Sequence, residues 1–148
     1  MATTNSDAAG VTNSDAQVLE FQLGSETYCL DIEYVAEIVD MGDLTTVPNS
    51  PPHVEGVMDL RGRTTSIINP KHVLNVGGVG DGRRIVVLDP DRMDEGEAIG
   101  WVVDEVYQVV RVDGSDVDDS PVEDEAIRGM LKRDDEFVIW LDPDAVVS

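Results

Sequence analysis

The chain has 148 residues, 31 of them Asp or Glu against 10 Lys or Arg, for a formal net charge of −21. Such a chain has no basic stripe with which to displace counterions, so nucleic acid and anionic membranes are excluded as natural partners. Cys29 is the only cysteine, so no internal disulfide exists, and a chain of this length buries roughly 70% of its unfolded surface without one.

The charge has a second implication. Lys71 and Lys132 are the only lysines, and the acids are spread along the whole chain rather than gathered in a tail. Self-repulsion of this kind is relieved at about 1 M salt, where the Debye length falls to ~3 Å. A salt-loaded cytosol, such as that of a halophilic archaeon, is the expected setting. No apolar run reaches the ~18 residues of a membrane span, and the opening MATTNSDAAG has neither the basic start nor the apolar core of a secretory signal. A cytoplasmic protein is expected.

Residues 1–16 are small and polar and are expected to form a disordered tail, with a folded domain over 17–148. Leu19 to Leu23 alternate apolar and polar, the pattern of a half-buried strand. Gly24-Ser25 is a turn, and Thr27 to Leu30 is the returning strand. Asp31 then has the chemistry of a helix N-cap, with Ile32, Val35 and Ala36 at helical spacing, which predicts one or two helical turns ending near Val39. Pro48, Pro51 and Pro52 make the next segment an extended loop.

Gly56 to Leu60 and Thr64 to Ile68 are strands around the tight turn Arg61-Gly62-Arg63, where Gly62 is free to take positive φ. Asn69-Pro70 is a helix start. The glycine cluster at 77–82 is a flexible loop. Ile85–Leu88, Ile99–Val103 and Val106–Val112 are β-rich. Residues 113–125 are acidic and are expected to be an exposed loop, Ala126 to Leu131 a short helix, Phe137 to Leu141 a strand, and Pro143 to Val147 a turn or short helix. Many short strands separated by Gly, Pro and Asp turns indicate barrels or a sandwich.

The motifs for chemistry fail one by one. His53 and His72, the only histidines, have no partner at metal-ligand spacing, so no metal is expected. The glycine cluster fits neither G-x-G-x-x-G nor a P-loop, and no cofactor is expected. Val117 occupies a required ligand position in the only stretch that resembles a calcium loop. No nucleophile elbow is present. Carboxylate pairs that would suit a hydrolase are uninformative in a chain this acidic, and the expectation is a protein that is not an enzyme. A small-barrel nucleic-acid binder is allowed by the fold class but opposed by the charge.

Binding of other proteins remains. Ile32, Val35, Ile38, Val57 and Met58 sit on short elements that cannot bury everything. On a charge-saturated surface such an apolar strip lets a partner dock without desolvating carboxylates. Arg61, one of the few bases, can pair with Glu37 and fix the geometry between their two segments.

Three stretches carry a family resemblance. Phe21-Gln22-Leu23-Gly24-Ser25-Glu26-Thr27-Tyr28 followed by Leu30-Asp31-Ile32-Glu33-Tyr34-Val35-Ala36-Glu37-Ile38 resembles the opening of a CheW-like domain. Val47-Pro48 with Gly56-Val57-Met58-Asp59-Leu60-Arg61-Gly62-Arg63 is similar to that family's most recognisable turn, with Asp59 where Asn is commoner and an idiosyncratic loop at His53. Ile99-Gly100-Trp101-Val102-Val103-Asp104-Glu105-Val106 resembles its later strand-and-turn signature.

The resemblance implies a mainly β fold, with two five-stranded SH3-like β-barrel lobes sharing an apolar core and a few short helices. It implies a non-catalytic chemotaxis adaptor that couples methyl-accepting chemoreceptors to the histidine kinase CheA, recruited from the cytoplasm to receptor arrays at the membrane. Carried over by position, Ile32, Val35, Glu37, Gly56 and Arg61 are its expected protein-binding residues.

Overall fold

A computed structural model describes residues 16–76, 82–94, 96–118, 124–133 and 135–147. Among the described residues, eleven strands fall into two sheets. Lobe one contains β1 (Ala16–Leu23), β2 (Glu26–Asp31), and, after a long excursion, β8 (Glu105–Val112), β9 (Val117–Asp118), β10 (Ile127–Arg133) and β11 (Glu136–Leu141). Lobe two contains the intervening β3 (Val35–Asp40), β4 (Val54–Leu60), β5 (Arg63–Ile68), β6 (Arg84–Leu88) and β7 (Ile99–Val103). The described residues also form two five-residue helices, α1 (Pro70–Leu74) and α2 (Pro143–Val147).

The strand orders are β9-β10-β11-β2-β1-β8 and β3-β6-β7-β5-β4. Each sheet includes one parallel pair, β11 with β2 and β5 with β7, among otherwise antiparallel neighbours. In both lobes the chain itself passes from one sheet edge to the other. In lobe one, β8 turns through Gly114–Asp116 into β9 at the far edge. In lobe two, the chain leaving β3 bridges β4, with Thr45 and Val57 exchanging backbone hydrogen bonds of 3.0 and 2.9 Å. The expected two-lobed β architecture is therefore present, with one lobe carrying six strands because of the two-residue β9.

Three apolar clusters hold this arrangement. Val18, Cys29, Val112, Leu131, Val138 and Trp140 fill lobe one, and Met58, Ile67, Ile85 and Val102 fill lobe two. The third and largest is shared: Leu19, Phe21, Leu23 and Leu30 from lobe one meet Val86, Leu88, Trp101 and Val103 from lobe two. Strand β1 thus buries both faces, with Val18 turned to one cluster and Leu19, Phe21 and Leu23 to the other. Phe21 meets the Trp101 ring edge-on at 6.2 Å. Burying a side chain of this size stabilises by about 2 kcal/mol.

The chain crosses between lobes twice, and an aspartate stands at each crossing. Asp31 ends β2 ahead of a single 3-10 turn, Ile32–Tyr34, that leads to β3. Asp104 is the one residue between β7 and β8.

Several local expectations are corrected. The helix expected to run from Asp31 to Val39 stops after that one turn, and Val35–Asp40 is a strand. Asp31 makes no side-chain cap, because its carboxylate is taken by Trp140 and Arg128. The β-branched Val35, Ile38 and Val39 then pair with β6. The helix expected over Ala126 to Leu131 is strand β10, in which buried Gly129 and Leu131 alternate with the less buried Arg128, Met130 and Lys132. The acidic stretch 113–125 includes a 3-10 turn and β9 where only loop was expected. Ala16, counted with the expected tail, is paired with Val112 in β1. The other tail residues, the glycine cluster up to 81, and 119–123 lie outside the described residues.

The remaining elements follow their local chemistry. Asn69 caps α1 by accepting from the Lys71 backbone N–H at 3.0 Å, with Pro70 in the first turn. Among the described residues no helix is long and apolar enough to cross a membrane.

Candidate protein-binding site

Leu60 pairs with Arg63 across a two-residue turn, and both Arg61 (φ 55) and Gly62 (φ 79) have positive φ. This is the signature of the I′ hairpin turn, whose twist matches the strands it joins. Glycine adopts it freely; arginine rarely does. The turn aims Arg61 back at β3. Its Nε donates to Glu37 Oε2 and its Nη2 to Glu37 Oε1, each at 2.9 Å. Two parallel bonds of this kind fix orientation as well as distance.

The Arg61 side chain is nonetheless 80% exposed and that of Glu37 26%. The hydrogen bond from Arg61 is the main reason the Glu37 carboxyl is held below its ordinary pKa, and the same bond raises that of Arg61. Both stay charged at physiological pH. A pair this wet adds little to stability. Its effect is positional: the outward face of the guanidinium is presented in one fixed pose, which lowers the ordering cost of docking.

The five expected binding residues separate into three environments. Glu37 and Arg61 are brought into direct contact. Ile32 and Val35 are half-buried at the margin of the shared core, together with Tyr34 and Ile38. A bulge between Val35 and Glu37 leaves Ala36 outside the ladder and exposed.

Gly56 is different: it is buried, has φ 155, and lies under Thr45. A Cβ there would sit 2.6 Å from the Thr45 carbonyl oxygen. Gly56 therefore permits the close approach that lets Thr45 bridge to β4, and offers no side chain to a partner. Of the other apolar candidates, Met58 belongs to the lobe-two core, and Val57 is half-buried opposite Ser66.

Sequence reasoning missed the polar groups at the two crossings. Asp104 accepts from the Gly24 and Gly82 N–H groups at 2.7 and 2.9 Å and pairs with Lys71 Nζ at 2.8 Å. Asp31 is held by Arg128 and Trp140. The scarcity of bases was the available signal, since Lys71 and Arg128 each serve one aspartate.

Lobe one also bears a groove of about 530 Å³ lined by Glu20, Thr27, Val106, Tyr107, Gln108, Glu136 and Val138. The buried Glu20 carboxylate accepts from Gln108 Nε2 at 3.2 Å there. Among the described residues no group of three His, Cys, Asp or Glu is placed to hold a metal ion.

Two β lobes around a shared core, with a pre-organised polar pair on the surface of one, define a β-domain that works through its surface. The CheW-like domain model matches residues 17–148, and the chain belongs to that family. It is 28% identical over 135 residues to a chemotaxis protein CheW of Thermotoga maritima, covering 89% of this chain and 87% of the relative. It is 30% identical over 143 residues to a chemotaxis protein CheW of Treponema pallidum, covering 89% and 82%. The crystal structure of the scaffolding protein TtCheW from Thermoanaerobacter tengcongensis matches with a TM-score of 0.81 at 26% identity, over 90% of this chain and 88% of that one.

Proposed function

We propose that this protein is a chemotaxis scaffold that joins methyl-accepting chemoreceptors to the histidine kinase CheA and so places kinase activity under receptor control. Its contribution is geometric: it holds receptor and kinase together through β-domain surfaces and performs no chemistry of its own. The observation that carries this reading is the exposed Glu37–Arg61 fork beside half-buried Ile32 and Val35. A rigid polar pair flanked by apolar side chains supplies orientation and desolvated contact area together. The protein acts in the cytoplasm and is drawn to receptor arrays by these contacts.

The test is a pull-down in molar KCl, followed by receptor-controlled kinase assays on Arg61→Ala and Val35→Asp. The expected result is co-purification of kinase and receptors with the wild type, and folded variants that no longer transmit receptor control. Normal control by both variants would place the working surface elsewhere.

A further inference from the structure

Arg128 belongs to β10 of lobe one, yet its guanidinium serves the crossing into lobe two. Its Nη1 donates to Asp31 Oδ2 at 3.0 Å, and the Tyr34 side chain stands near enough to help raise its pKa. Its central carbon lies 5.7 Å from the centroid of the Trp140 ring, within the range of a cation–π contact. Trp140 Nε1 donates to the other Asp31 oxygen at 2.6 Å. Burial disfavours the charge on Arg128, but Asp31, Tyr34 and Asp142 more than offset it and raise its pKa.

The turn Ile32–Tyr34 is therefore held at both ends, by lobe-one side chains at Asp31 and by the lobe-two backbone at Tyr34. Asp31, just before it, is fixed by Trp140 and Arg128. Tyr34, its last residue, is held by the Asp89 N–H through its carbonyl, at 2.8 Å, with Arg128 near its side chain. Ile32, Tyr34 and Val35 are only partly buried, at the margin of the shared core, so the polar contacts at the ends of the turn add to a partial apolar packing. The remaining pair on the turn, Glu33 with Arg92 at 3.9 Å, is exposed and loose.

Resting on the binding role proposed above for the Ile32–Glu37 segment, we infer that Arg128 is a positioning residue for that surface: it fixes the crossing turn from lobe one and thereby sets where Ile32 and Val35 stand. It acts through Asp31 and Tyr34 rather than by touching the partner.

Full-length Arg128→Gln, Arg128→Lys and Tyr34→Phe test this by amide hydrogen exchange and by affinity for the histidine kinase. With Arg128→Gln, exchange over residues 32–38 is expected to accelerate several-fold while β5 and β7 stay protected, and kinase affinity to fall about tenfold. Arg128→Lys restores a positive charge beside Asp31 and recovers part of both effects. Tyr34→Phe removes one arm without touching β10, and gives a smaller change of the same kind. Unchanged exchange over 32–38, or acceleration spread evenly over every strand, would overturn the inference. Failure of the wild type to bind kinase would instead refute the proposed function, and the exchange result would still decide what Arg128 does.

Discussion

Asp104 and Lys71 form a shielded ion pair, 2.8 Å from Nζ to Oδ2, at the single residue where the chain returns from lobe two to lobe one. The side chains are 5% and 18% exposed. The same carboxylate accepts from the N–H of Gly24, in the β1–β2 turn, and of Gly82, ahead of β6. One group thus ties both lobes to the crossing.

Burial pushes the Asp104 pKa up, but the bonds from Lys71, Gly24 and Gly82 pull it down by more, so it lies below the ordinary 3.8. A carboxyl with a depressed folded pKa contributes stability above its unfolded value, and that contribution is lost as pH falls through the folded one. Asp104→Asn leaves Lys71 without its counter-charge and is expected to cost about 3 kcal/mol at neutral pH. The penalty should shrink below about pH 4. Chemical denaturation of both proteins across this range checks it. A penalty as large in acid as at neutrality would show that the charge on Asp104 is not its source.

Gly56→Ala is expected to destabilise by about 2 kcal/mol or more, since it combines an unfavourable φ with an atomic overlap. The added methyl would meet the Thr45 carbonyl oxygen at 2.6 Å, and backbone cannot step aside as a flexible side chain can. The Thr45–Val57 bridge should open, and amide exchange at both residues should rise. A Gly56→Ala protein with wild-type melting and protection at Thr45 would return Gly56 to the partner surface. The expected outcome makes loss of signalling at this position a folding effect.

Much of the fold was legible because it is written locally. Leu19 to Leu23 alternate, Arg61-Gly62 marks a hairpin turn, and Asn69-Pro70 marks a helix start, and each element stands where those signals put it. The Glu37–Arg61 pair was also legible, as an acid on an apolar segment and a scarce base in a turn. The errors have distant causes. Asp31 looks like a cap, but its partners Arg128 and Trp140 are 97 and 109 residues away. Asp104 draws on groups 22, 33 and 80 residues away, none of which its own neighbourhood announces. The role of Gly56 follows from the backbone of Thr45, which approaches only after the sheet has closed.

The Glu37–Arg61 fork should govern signalling without governing stability. Glu37→Gln and Arg61→Ala are expected to melt within a few degrees of wild type, because Arg61 is largely exposed and a pair open to solvent on that side adds little to stability. Both should lose receptor control of the kinase. The exchanged pair, Glu37→Arg with Arg61→Glu, should rebuild the ion pair but not the control, since the exposed charge facing the partner is then reversed. Full control in the exchanged protein would mean that the pair serves local geometry alone. Full control in the single variants would remove it from the site altogether.

The net charge of −21 makes this fold sensitive to salt. Raising KCl from about 0.1 M to about 1 M shortens the Debye length from ~10 Å to ~3 Å, which screens the exposed acids from one another. The thermal midpoint is expected to climb steadily over that range, and to climb equally in KCl and NaCl if screening is the cause. Asp113, Asp116 and Asp118 are exposed around the β8–β9 turn. Replacing all three by Asn should raise the midpoint at low salt and flatten its dependence on KCl, while leaving the high-salt midpoint nearly unchanged. Melting curves across the salt series measure both effects. A midpoint that ignores KCl would show that the apolar clusters already outweigh the repulsion, and would withdraw the inference that this surface is built for a salt-loaded cytosol.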